Sequence, residues 1–461
     1  MTLSKIHAYI DSNIDKHVDH LRTWVRQPSV SWDNWGVSEM AELVAQSYRD
    51  LGCQEVEIIE GRYHPGVWAY YDAGSPVTVH NYCMFDTRTV KEKDWTIDPW
   101  AGEIHSLDNH PKVLVGPSGA KGPYVAFLNA LQSIIAVEGT LPVNIMFLAE
   151  GDEILGSPSY RDYVERYRDR LKQVKASYCA SGSQNGRKVS VGLGLKGMVV
   201  LELTVSGEAW GKGPAKTIHS SQASGVGSPP FRLAQALATM TNADGSGCTV
   251  DGLKEIWNYR KPLTADEQAQ LDALAQSGAG DRVSLENLLY GPTFNVAGLR
   301  SGFLGFETET IPFIVPATAT ATLDMRMVIE LTADEIIGAL RSHLDGRGFA
   351  DIAITTLAAF SHSQTSVADP GVQAVLKTIR DHDMVPVVWP IQAGGGPWTA
   401  VPNAFGVPCI HGGAIGGGGS GKGYEYFIIE SGSDKTAGLA DAEKYHVDLL
   451  YNFARSAGAK V

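Results

Sequence analysis

The sequence predicts an α/β protein into which a smaller α+β unit is inserted. Three observations predict it. Strand-like and helix-like runs alternate through the first 200 residues. The texture becomes β-rich and half-exposed from Met198. It returns to α/β alternation near residue 366. Alternation of this kind builds a sheet covered by helices on both faces, with active groups at the carboxyl ends of its strands. The boundaries expected are 1–197 and 366–461 for the two parts of the larger domain, and 198–365 for the insertion.

The elements follow in order. Ile6, Ile10, Ile14, Val18, Leu21 and Val25 recur at helical spacing, so the chain starts with an amphipathic helix. His17, Asp19 and His20 lie on that helix and read as a solvated face. Residues 38–51 read as a helix, and 53–60, 66–72 and 76–85 as strands. GPSGAKGPYVAFLNALQSIIAV enters a helix from a glycine-rich turn. LPVNIMFLAEG is a buried strand running into a polar turn, and VKASYCASG is another. In the insertion, MVVLELTVSG alternates as a half-exposed strand. A helix is expected at 229–242 and an irregular polar stretch at 243–292. FIVPATATATLDMRMVIE is a long β-rich run. Thr332 with Glu335 three residues on is a capping box that opens the helix of LTADEIIGALRSHLDG, and DIAITTLAAF follows as a strand. Residues 412–423 are mostly glycine and read as a loop, a mobile cover or a plain connection.

Composition narrows the function. The chain has 461 residues, 44% hydrophobic and 19% charged, enough for a sizeable core. Its net charge is −13 and it has no basic stripe, which argues against a nucleic-acid partner. The N-terminal residues do not read as a membrane span or signal peptide, so no membrane partner is expected. Cys53, Cys83, Cys179, Cys248 and Cys409 are scattered and odd in number, which suits a reducing, cytoplasmic setting.

Several segments in order resemble one family. They are FDTRTVKEKDWTIDPWAGEI, FLAEGDEILGSPSYRDYV, GLGLKGMVVLELTVSG, TIHSSQASGVGSPPFRLAQAL, LTADEQAQLDAL, FNVAGLRSGF and ETIPFIVPATATATLDMRMV. The chain thereby resembles the dizinc exopeptidases of the carnosine dipeptidase, glutamate carboxypeptidase and succinyl-diaminopimelate desuccinylase type. The resemblance implies a zinc-exopeptidase-like catalytic domain holding two zinc ions. It also implies that the insertion is a lid domain through which a homodimer forms.

The family's five metal ligands do not carry over. Met84 stands where its first histidine belongs, Gly119 at its bridging aspartate and Ile154 at its ligand glutamate. Ala180, with Ser181 and Gly182, follows the strand that should end in the second aspartate, and Gly421 stands at the last histidine. Methionine, glycine, isoleucine and alanine are not donors of the kind zinc takes there. The expectation is therefore no metal and no cofactor. A single zinc on Cys83, Cys179 and a histidine is a weaker alternative to small buried thiols.

Other positions do carry over. Glu153 matches the family's general base, and Asp86 the carboxylate that orients a ligand. Glu150 precedes Glu153 in the same turn. His219 matches the lid histidine that reaches the other subunit's site and steadies an oxyanion. Arg326 matches the arginine that grips a substrate carboxylate. Gly394, Gly395 and Gly396 match a loop whose N–H groups meet the same end, with its usual serine absent. Cys83 also reads as a nucleophile, with His80 near in sequence but three residues away along a strand and so on the opposite face.

Three readings follow. The first is a metal-independent enzyme acting on a small amino-acid-derived or amide substrate that bears a carboxylate. Glu153 is its acid–base group, for amide cleavage or transfer or for a proton-transfer reaction such as isomerisation, cyclisation or elimination. The second is a non-catalytic binding or scaffold homologue. The third is a conventional metal-dependent dipeptidase with relocated ligands.

Overall fold

The computed structural model describes residues 2–107, 109–258, 260–305, 311–328, 331–421 and 423–458. Lys422 and residues 309–310 and 329–330 of the segments quoted above lie outside them. The central sheet runs, edge to edge, through Glu55–Ile59, Gly66–Tyr71, Asn144–Glu150, Thr78–Met84, Ala176–Cys179, Cys409–Gly412, Lys188–Gly192 and Val385–Trp389. The strand Thr78–Met84 is parallel to both of its neighbours, and Cys409–Gly412 is parallel to Ala176–Cys179. Register then sets Met84 beside Glu150, Tyr82 beside Cys179, and Cys179 beside His411. Four strands thus end their carboxyl termini along one sheet edge, where an α/β sheet presents its chemistry.

The sheet is buried on both faces because side chains alternate along each strand. Ile145, Phe147 and Ala149 face a core shared with Thr2–Arg26, Lys121–Glu138 and Leu439–Ser456. Met146 and Leu148 face a second core built on Tyr160, Tyr163 and Leu171. Side chains such as Phe147 and Leu148 are fully buried, and each contributes about 1.5–3 kcal/mol by leaving water.

The first helix, Thr2–Arg26, buries Ile6, Ile10, Leu21 and Val25 as its spacing predicts. Its solvated face is narrower than expected. His17 is buried with Nδ1 2.6 Å from Oε2 of Glu443, and His20 Nδ1 meets Oδ1 of Asn129 at 2.7 Å. The last helix packs where the sequence alone showed no partner.

The inserted unit is a four-stranded antiparallel sheet in the order Thr293–Arg300, Thr318–Met327, Gly197–Ser206, Ala353–Phe360. Val199, Leu201, Leu203 and Val205 bury one face with Ala319, Ala321, Leu323 and Met325, a period of two that matches the pleat. The helix Ala333–Gly346 begins with the expected capping box, Thr332 accepting from Glu335 N and Glu335 accepting from Thr332 N, worth about 1 kcal/mol.

Two local expectations are corrected. The stretch read as irregular holds the helices Lys254–Asn258, Ala265–Gln276 and Arg282–Tyr290, the second of them opened by a Thr264–Glu267 capping box. The glycine-rich segment is not a free loop. Residues 412–417 are buried, and Gly418–Gly421 pairs antiparallel with Tyr424–Glu430. Gly412, Gly413 and Gly416 have φ values of 78°, 80° and 105°, which only glycine adopts freely.

Candidate active site

The sheet edge opens into a cleft of about 720 Å³. That is the size of a site for a small organic ligand. Its floor starts at the turn after Glu150. Gly151 must be glycine there, because a Cβ would lie 2.6 Å from the Phe85 ring and 2.8 Å from Val37. Glu150 is fully buried and its Oε1 accepts from Tyr82 Oη at 2.7 Å and Ser157 Oγ at 3.0 Å. Burial, then the neighbouring Asp152, pushes its carboxyl well up beneath the floor. Asp152 accepts from Ser159 Oγ at 3.0 Å. Asp86 Oδ2 accepts from Ser31 Oγ at 2.7 Å and from the backbone N–H of Ile154 at 2.9 Å. The two strand ends together fix the short turn Glu153–Leu155 that puts Glu153 on the cleft wall.

Glu153 is a carboxyl on this wall whose ionisation lies near neutrality. Burial first, then the charge of Asp86, raises its carboxyl to about 7, with Arg88 pulling the other way. Asp86 is itself raised to about 6, chiefly by burial. A carboxyl that is half ionised near neutrality can both take and return a proton there.

The cleft is also lined by groups that the sequence does not single out. Glu425 Oε1 accepts from the backbone N–H of Ser118, at 2.8 Å, and of Gly119, just before the helix Lys121–Glu138. A Cβ on Gly119 would lie 3.0 Å from that oxygen, so the glutamate occupies the room an aspartate at 119 would need. Arg88 faces both Glu153 and Glu425 electrostatically. Trp95, Trp398 and His411 also line the space. Lys121 lies beneath, fully buried, its Nζ donating to the carbonyls of Trp24 at 3.1 Å and Gln27 at 2.6 Å. His411 lies next to the end of the strand Cys409–Gly412, a feature close to the one that marks Glu150. Nothing near Arg88 in the chain announces its place.

The other candidates divide. Cys83 lines the cleft but burial pushes its thiol well up, and Cys179 is raised to about 12 for the same reason. Both are thiols at neutral pH, and only a thiolate is a good nucleophile or zinc ligand. His80 lies outside the cleft lining, with Nδ1 2.8 Å from Ser177 Oγ and Nε2 3.2 Å from Tyr160 Oη. Arg326 is brought to the 394–396 loop, its Nε donating to Asp324 at 2.8 Å and Nη1 to the Gly395 carbonyl at 3.3 Å. Gly394 is exposed, and Gly395 passes so close to the Lys196 carbonyl that a Cβ would lie 2.3 Å away. Neither Arg326 nor these glycines line the Glu153 cleft within one protomer. His219 is exposed on the inserted unit, held by Ser221 and packed beside Phe313, and is likewise outside it.

Comparison with known proteins agrees with this architecture. Residues 193–351 match the model of a peptidase dimerisation domain. The Cys-Gly metallodipeptidase dug1 of Schizosaccharomyces pombe is 24% identical over 376 residues, covering 75% of this chain and 76% of that protein. The Beta-Ala-His dipeptidase of Rattus norvegicus is 23% identical over 385 residues, covering 75% and 74%. Among solved structures, an M20 family metallo-carboxypeptidase from Sulfolobus solfataricus superposes with a TM-score of 0.76 at 24% identity, over 95% of this chain and 99% of that one. The fold is the zinc-exopeptidase fold. Its inserted unit matches a peptidase dimerisation domain, and the chain is related to dipeptidases.

The expectation of no cofactor is corrected by these relatives, since a metallodipeptidase and a metallo-carboxypeptidase stand among them. The donors in this cleft nonetheless do not fit a pair of zinc ions of the expected kind. Met84, Gly119, Ile154 and Ala180 line it, and none offers a nitrogen, carboxylate or thiolate donor. Gly421 ends the strand whose Gly418, Gly419 and Ser420 line it. Among the described residues no three His, Cys, Asp or Glu side chains converge as one ion would require. No helix among them is long and apolar enough to cross a membrane.

Proposed function

We propose that the protein is a hydrolase of small dipeptide-like amides that carry a free carboxylate, with Glu153 as its acid–base group. The observation that carries this reading is Glu153 itself. It is a carboxyl raised to about 7, held on the wall of a cleft of about 720 Å³ at the carboxyl edge of the sheet. The dipeptidase relatives supply the substrate class.

Ionised Glu153 takes one proton from the water that attacks the amide carbonyl carbon. It then returns that proton to the amide nitrogen as the C–N bond breaks, leaving a carboxylic acid and an amine. Asp86 holds the turn and raises the proton affinity of Glu153. By the resemblance Arg326 and the 394–396 loop hold the substrate's carboxylate end; the two adjoin through the Arg326–Gly395 hydrogen bond and lie outside the cleft lining of one protomer. His219 acts on the partner protomer's site, in a homodimer formed through the dimerisation domain. We also read Met84, Gly119, Ile154, Ala180 and Gly421 as standing where the resembling enzymes hold their metal ligands. The convergence of four of them on one cleft supports that register.

The test is turnover of Cys-Gly and β-Ala-His by the wild-type protein and by Glu153→Gln. Cleavage by the first and a loss of at least about 100-fold in the second is expected. Saturable binding of both dipeptides without cleavage would instead favour a binding protein on this scaffold.

A further inference from the structure

His411 is gripped on two sides. Its Nδ1 lies 2.8 Å from Oε1 of Gln392. One face of its ring is stacked on Trp398, with centroids 4.7 Å apart and planes at 16°. Each partner reaches the imidazole only because a glycine makes room. A Cβ on Gly192 would lie 2.8 Å from Cδ of Gln392, and a Cβ on Gly396 would lie 2.6 Å from the Trp398 ring. Gly192 pairs directly with His411 across the sheet. Two glycines, an amide and an indole therefore fix one imidazole that lines the cleft. Gln392 Oε1 is an acceptor, so Nδ1 carries the proton and Nε2 presents a lone pair.

We infer that His411 Nε2 is a recognition site in the cleft for a hydrogen-bond donor of the substrate, the free amino group of a dipeptide-like compound. This rests on the hydrolase reading above for its substrate class. Three features favour a donor over an anion. Burial lowers the His411 pKa to about 4, so the ring is neutral at physiological pH. The cleft is also lined by the carboxyls of Glu153 and Glu425, which attract an amine. Trp398 and Trp95 line the cleft with aromatic surface suited to a cation. A buried acceptor built to meet an N–H discriminates strongly against a ligand that lacks one, because the acceptor is then left unpaired.

The test compares alanyl-glycine with propionyl-glycine, which lacks only the amino group. Wild type, His411→Phe and His411→Gln are assayed with both. Phenylalanine keeps the ring and its stacking on Trp398 but has no lone pair, and glutamine guards against a misfolded phenylalanine variant. The expected result is a fall of about tenfold or more in kcat/KM for alanyl-glycine in His411→Phe, mostly in KM, with propionyl-glycine changed less than about threefold. Equal effects on both substrates, or none, would overturn the inference. An independent reading comes from nitrogen-15 spectra of histidine-labelled protein, in which the His411 signals are identified by their loss in the variants. Addition of alanyl-glycine is expected to shift Nε2 and not Nδ1, and an unmoved Nε2 would overturn it. A shift without turnover by any form would leave this site standing and remove the hydrolase reading.

Discussion

Asp86 Oδ2 accepts the backbone N–H of Ile154 at 2.9 Å, so the end of one parallel strand holds the turn that follows its neighbour. Glu153 precedes that N–H, and its position and acidity both depend on the contact. The charge of Asp86 raises the Glu153 carboxyl while Arg88 lowers it. In the proposed reading Asp86 positions Glu153, and its removal then has a signature that simple loosening would not produce.

Asp86→Asn and Arg88→Gln are expected to move the ionisation of Glu153 in opposite directions. Removing the Asp86 charge lowers it from about 7, and removing the Arg88 charge raises it. The acid limb of the pH–rate profile reports both shifts. Asparagine keeps an oxygen for the Ile154 N–H, so the fold is retained. Shifts of the same sign in the two variants would refute the electrostatic account.

Stability should carry the same imprint. Glu153 has a folded pKa of about 7 against an ordinary value of 4.5, so the folded protein binds the extra proton between those values. Its contribution favours folding at low pH and is lost as pH rises toward 7. Asp86, raised to about 6, acts in the same sense. Glu153→Gln is therefore expected to match wild type in thermal midpoint near pH 4 and to exceed it near pH 8. A larger gain at the acid end would contradict the assignment.

Gly396→Ala probes the seat of Trp398. The new Cβ would fall 2.6 Å from the indole that stacks on His411, so the indole must shift and the stack with it. Overpacking of this kind costs about 1–3 kcal/mol. Thermal unfolding checks the loss, and tryptophan fluorescence checks the displacement. Gly394→Ala, where nothing lies within 4 Å of the added methyl, is the matched control and is expected to be near neutral.

The role given to His219 requires a second protomer, since the residue lies outside the cleft of its own chain. Light scattering is expected to give twice the chain mass of 49.5 kDa. Mixing inactive Glu153→Gln with inactive His219→Ala, with subunit exchange, is expected to restore about a quarter of wild-type activity, because each mixed dimer regains one intact site. No recovery despite exchange would place His219 in its own protomer's chemistry or in none.

Much of this was legible in the sequence for physical reasons. Period-two runs such as MVVLELTVSG, and the helical spacing of Ile6 to Val25, identified their elements, because burial imposes those periods. The strand-end rule located Glu150 and Glu153 without any contact information. The misses have equally physical causes. The burial of His17 depends on Glu443, more than 400 residues away, and no local pattern carries that. The glycines of 412–417 are buried against helices and a sheet rather than free, a tertiary fact that composition hides. His411 stood next to the end of a strand and was open to the same rule, but Gln392 and Trp398, which give it meaning, arrive from other elements. The expectation of no cofactor came from individual side chains, and only the metallopeptidase relatives could correct it.

The central claim is that Glu153 handles the proton in cleavage of a dipeptide-like amide. Its most direct test is the pH–rate profile for Cys-Gly and β-Ala-His in wild type and Glu153→Gln. The expected result is cleavage by wild type with an ionisation near 7, and a fall of about 100-fold or more in kcat in the variant with that ionisation gone. Full activity in Glu153→Gln with an unchanged profile would contradict the claim.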